Sequence, residues 1–163
     1  MSKKAIVTAN PGESTIHIER IFDAPRAKVF KAMTTKELME KWYVGPGYDV
    51  DIQVYEPREG GAWKFEHSDG KGNKFAFCGV FHEIAQNERI VQTFEFLGMP
   101  ERGHVSMEKM ELQDTEDGKT KMTVTSAYFS VEDRDGMIQS GMEDGMQSTY
   151  DALDKVLAET DNL

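Results

Sequence analysis

SVEDRDGMIQSGMEDGMQSTYDALDKVL, residues 130–157, is the longest stretch of the chain that reads as one amphipathic helix. Ile138, Met142, Gly145, Met146, Thr149, Leu153, Val156 and Leu157 recur at three- and four-residue intervals, which lays them along one stripe. Ser130 and Asp133 have the spacing of a capping box, the hydroxyl taking a free backbone N–H while the carboxylate reaches back. Gly141 and Gly145 are costly in such a helix, at about 1 kcal/mol each relative to Ala. That cost is offset if another backbone approaches closely or if room is kept for a bound molecule. A Met-lined, Gly-notched helix at this place predicts a lid or floor laid on a sheet.

Upstream of it the period is two for about eighty residues. Val50, Ile52 and Val54 alternate with Asp49, Asp51 and Gln53, and Trp63, Phe65 and His67 alternate with Lys64 and Glu66. Residues 74–84 carry apolar side chains on both faces (Phe75, Phe77 and Phe81 against Ala76, Val80 and Ile84), the pattern of a strand covered on both sides. Turn signals at Asp69-Gly70, Gln86-Asn87, residues 98–103 and Asp117-Gly118 separate it from strands over 89–97, 104–112 and 121–129.

Before this region, residues 1–14 read as a flexible arm and residues 15–160 as one domain whose first strand spans 15–22. Pro25 opens a short helix that buries Val29, Phe30 and Met33. A second capping box, Thr34 to Glu37, opens another that buries Leu38, Met39 and Trp42 before Gly45-Pro46-Gly47 stops it. The sum is an α+β fold: a curved antiparallel sheet of about six or seven strands around the long helix, with two short helices after the first strand. The long helix is the one element large enough to bury the sheet's inner side.

The 163 residues suit a single domain, and no apolar run approaches the ~20 residues of a membrane span. Ala5 to Val7 is too short for a secretory apolar core, and the lone Cys78 has no internal disulfide partner, so a cytoplasmic protein is expected. A formal charge of −10, with no cationic cluster longer than a pair, argues against nucleic-acid or anionic-membrane partners.

Several blocks carry a family resemblance: residues 18–25 (IERIFDAP) with 29–32 (VFKA), residues 38–46 (LMEKWYVGP), Gly60-Gly61-Ala62-Trp63, residues 79–84 (GVFHEI), and residues 141–153. In their order and spacing they resemble the family named after the activator of the 90-kDa heat-shock chaperone's ATPase, within the START-like, or SRPBCC, helix-grip superfamily. The resemblance covers nearly the whole chain and implies a helix-grip fold. For function it implies only the domain type, since the superfamily includes lipid carriers, hormone-binding proteins, cyclases and domains of no known ligand. The family often has two Trp before Gly-Pro, where this chain has Trp42-Tyr43-Val44.

Chemistry-bearing motifs are sparse. His17, His67, His82 and His104 fall on separate expected strands without zinc-ligand spacing, so no metal is expected, and no phosphate loop or nucleophile elbow implies a cofactor. Cys78 in an apolar strand reads as a small hydrophobe. What remains is a cavity between sheet and helix, with Trp42, Trp63, Phe65, His67, Phe77, Phe81 and Phe94 expected on its walls. Met142, Met146 and Tyr150 face it from the helix, and Gly141 and Gly145 make room. Ten Met offer adaptable walls. The expected function is a carrier or sensor of a small hydrophobic or aromatic molecule. The alternatives are a cyclase- or dehydratase-like enzyme using His67, Glu83 or Tyr150 as acid or base, and a module that binds a chaperone or another protein.

Overall fold

The computed structural model describes residues 4–160. The period-two segments form β2 (Thr15–Phe22), β3 (Asp49–Tyr55), β4 (Ala62–Ser68), β5 (Lys74–Ala85), β6 (Arg89–Phe96), β7 (Val105–Asp114) and β8 (Thr120–Ala127). With a short β1 (Ile6–Thr8) they make one curved, open antiparallel sheet in the order β1-β2-β8-β7-β6-β5-β4-β3. Hairpins join β3 through β8 in sequence, and β8 closes the order by pairing with β2, which brings the two ends of the domain together. Alternation then fixes the inner face: Ile16, Ile18 and Phe22 on β2, Trp63 and Phe65 on β4, and Met122 and Val124 on β8 are buried.

Helices α1 (Arg26–Thr34) and α2 (Lys36–Trp42) follow β2 and turn Val29, Phe30, Met33, Leu38, Met39 and Trp42 inward. The expected long helix is two helices, α3 (Val131–Gln139) and α4 (Met142–Glu159). Gly141 takes a left-handed φ of 81° between them, a conformation that costs glycine nothing. Ser140-Gly141 is thus a stop, and Glu143 and Asp144 occupy the first turn of a new helix, where acids favour the dipole. Helix α4 buries Leu153, Val156 and Leu157 and packs against α2 and α1, while Met142 and Met146 are only partly buried.

Other differences have equally local causes. The Ser130 hydroxyl accepts the Asp133 N–H at 3.0 Å as a cap should, but the Asp133 carboxylate turns to His104 instead of reaching back. Thr34 ends α1, its hydroxyl donating to the Phe30 carbonyl, so α2 begins after Thr35 without a side-chain cap. A bulge at Gln53 reverses the phase of β3: Val54 becomes exposed and Tyr55 turns inward, its hydroxyl donating to the Met33 carbonyl. Among the described residues no helix packs on the outer face of β5, which leaves Val80 49% exposed.

Of the expected arm, residues 1–3 lie outside the described residues, and the remainder contributes β1 and is held by side chains. Gln147 receives the Ala5 N–H at 3.0 Å and donates to its carbonyl at 2.9 Å, as a neighbouring strand would. The buried Arg134 donates to the carbonyls of Asn10 and Thr15, so α3 docks through a guanidinium that hydrophobic periodicity does not register.

Candidate functional site

A cavity of about 150 Å³ lies inside the sheet, beneath α2 and α4. Trp42 closes it from α2, its indole N–H fixed to the Ala32 carbonyl at 3.0 Å. Trp63, Phe65 and Phe81 line it from β4 and β5, Met122 and Val124 from β8, and Tyr150 from α4. Tyr43, at the end of α2, stands edge-on to Phe65 with ring centroids 5.1 Å apart. A larger hollow of about 900 Å³ lies outside α1, rimmed by Lys31, Arg58, Glu59, Gln86 and Asn87. It is an open surface trough without converging groups, so the smaller inner cavity is the candidate site.

Of the expected wall residues, Trp42, Trp63, Phe65, Phe81 and Tyr150 meet at this cavity. Phe77, Phe94 and His67 extend the same aromatic cluster without lining the cavity: Trp63 touches Phe94, Phe94 touches Phe77, and Phe77 touches His67, at 5.9, 5.5 and 5.5 Å between centroids. Burial lowers the affinity of His67 for a proton, and its Nε2 has no hydrogen-bond partner among the described residues. Met142 and Met146 pack at the margin of the core.

The glycines require correction. Gly141 and Gly145 are exposed, and a Cβ on either would meet nothing within 4 Å. They make no room on the cavity side. Gly145 stands near the start of α4, whose buried residues, Leu153, Val156 and Leu157, all lie toward its other end. Gly79 does face inward, but its space is filled by the Trp63 indole.

Sequence reasoning misses several residues of the wall, among them Tyr43, Tyr55, Gln92 and the charged Glu108. Glu108 points inward from β7 and lies in register with Gln92 on β6 and Ser126 on β8, making a polar rung across three strands. The Gln92 amide donates to Glu108 Oε1 at 3.1 Å, and Ser126 also bonds the carboxylate. Burial raises the Glu108 carboxyl above its usual range, an effect these two bonds only partly offset. Burial, with the Glu108 charge second, also pushes the Tyr43 and Tyr150 hydroxyls well up; burial first drives Tyr128 to about 12. The alternation of β7 places Glu108 on the same face as buried Ser106 and Leu112, and that is the signal that could have found it.

An antiparallel sheet grasping a C-terminal helix, with an aromatic cavity between them, defines the helix-grip class of START-like domains. Within that class the chain belongs to the family described as Activator of Hsp90 ATPase homolog 1-like protein, whose model matches residues 23–158. Solved structures of the same fold include a protein from Rhodobacter sphaeroides at 23% identity, covering 96% of this chain and 99% of that one with a TM-score of 0.85. A protein from Mycobacterium smegmatis matches at 19% identity over 95% and 97% of the two chains, TM-score 0.85, and one from Nitrosomonas europaea at 26% over 93% and 99%, TM-score 0.77. No curated protein matches the chain. No helix among the described residues is long and apolar enough to cross a membrane, and no group of three His, Cys, Asp or Glu among them is arranged for a metal.

Proposed function

We propose that the chain binds a small apolar or aromatic molecule in the inner cavity, as a carrier or sensor. The observation that carries this reading is the convergence of Trp42, Tyr43, Trp63, Phe65 and Tyr150 on one space below the C-terminal helix. Ligand sites are concave, mostly apolar, and hold a few placed polar groups, here Glu108 and Gln92. At about 150 Å³ the space matches an engineered apolar cavity that admits benzene. The ligand is therefore one ring in size, or larger only if Met33, Met39 and Met110 on the wall move.

Ligand-detected NMR with toluene and benzyl alcohol tests this, with Val124→Phe filling the cavity from β8. Binding to the wild-type chain and its loss in the variant are expected. Failure of both probes, or binding that survives Val124→Phe, overturns the proposal. At 100 times its dissociation constant a bound probe also adds about 2.7 kcal/mol of stability.

The enzyme alternative has one specific support: Glu108 and Tyr150 share the cavity. Glu83 is not available to it, being bound to Arg89 away from the cavity. Chemical conversion of a bound compound, lost on Tyr150→Phe with binding retained, would replace the carrier with an enzyme. The chaperone-binding alternative rests on the family's description alone.

A further inference from the structure

We infer that the cavity selects a small organic ammonium, a one-ring apolar body carrying a protonated amine that seats against Glu108 among the surrounding aromatic rings. This rests on the ligand-binding reading of the same cavity and specifies its ligand. Glu108 is the one carboxylate on the wall among the described residues, and no Lys, Arg or His among them lines the cavity with it. Among the described residues no cation forms an ion pair with it, whereas Asp154, a partly buried carboxylate on α4, is paired with Arg20.

The protein itself supplies only neutral donors. Gln92 and Ser126 give Glu108 two hydrogen bonds, and an ionised carboxylate has about four acceptor sites. A carboxylate buried without a cation is costly, so stability does not account for it; Gln at this position would keep the rung at lower cost. An ammonium supplies three donors and the missing charge. Tyr43, Tyr150, Trp63 and Phe65 line the same cavity, and aromatic rings are the second element of ammonium recognition. An anionic ligand would meet Glu108 with no compensating cation.

Three ligands of one shape test the assignment by calorimetry on the full chain: benzylamine, benzyl alcohol and benzoate. Benzylamine is expected to bind at least about tenfold tighter than benzyl alcohol, a difference of about 1.4 kcal/mol, and benzoate not detectably. Glu108→Gln should bring benzylamine to within about threefold of the alcohol in the same variant, a gap of less than about 1 kcal/mol. Benzyl alcohol binding as tightly as benzylamine to the wild-type chain overturns the inference and leaves the cavity reading standing. So does an amine preference that survives Glu108→Gln. If none of the three binds, the cavity reading falls and this inference with it. The wild-type comparison decides even if the variant fails to fold.

Discussion

Trp63 and Gly79 stand opposite each other on β4 and β5, and the indole occupies the place a side chain at Gly79 would take. A Cβ at Gly79 would sit 2.6 Å from Trp63 Nε1 and 1.9 Å from the Thr93 carbonyl oxygen. The second neighbour is backbone and cannot move aside cheaply. Gly79→Ala is therefore expected to destabilise the fold by about 3 kcal/mol, the upper end of overpacking costs, or to prevent folding. Urea unfolding measures it, and a loss below about 0.5 kcal/mol would show that the Trp63 seat is not tightly filled.

Gly145 is the opposite case. It lies inside α4, exposed, and a Cβ there would meet nothing within 4 Å. Gly145→Ala should stabilise by up to about 1 kcal/mol through helix propensity and leave probe binding unchanged. A lost affinity would put Gly145 at the cavity after all.

These two glycines mark what is legible in a sequence of this kind. The strands, their hairpins and the inward Trp63, Phe65 and Phe81 follow from period-two alternation, which sets one face and needs no other information. The break at Ser140-Gly141 is hidden because a helical stripe tolerates a glycine on paper, and only the left-handed φ separates a notch from a stop. Tyr55 escapes because a one-residue bulge inverts alternation without a composition signal. Glu108 is missed for a general reason: an acid in a strand is ordinarily solvated. Its cross-strand partners Gln92 and Ser126 exist only once the register is known.

Arg20 ties α4 to the sheet. It is 2% exposed on the inner face of β2, and its guanidinium donates to Asp151 at 3.0 Å and Asp154 at 3.3 Å. Replacing both carboxylates (Asp151→Ala with Asp154→Ala) strands a buried cation whose Nε already lacks a partner among the described residues. A loss of about 3 kcal/mol is expected, since an uncompensated buried charge costs about 3–5 kcal/mol and Asp151 is itself half-exposed. The same pair of changes combined with Arg20→Met should recover part of that loss. Equal stability of the double and triple variants would refute the stranded-charge account.

His104 makes the last contact pH-sensitive. Its Nε2 meets Glu101 at 3.1 Å and its Nδ1 meets Asp133, in the first turn of α3, at 3.0 Å. Both carboxylates favour the imidazolium, Glu101 first, and hold the ring's proton affinity above the usual value near 6.5. A group whose folded value is raised binds its proton more tightly in the native state. Its contribution is complete below the unfolded value and disappears as pH rises through the folded one. His104→Gln should therefore lower the melting temperature most at about pH 5 and progressively less on the alkaline side of about 6.5. The ring is at the surface, so the low-pH difference should shrink in about 0.5 M salt, where screening weakens exposed pairs. A difference between wild type and variant that stays constant from about pH 5 to about pH 9 would mean that His104 serves α3 by packing, with its charge playing no part.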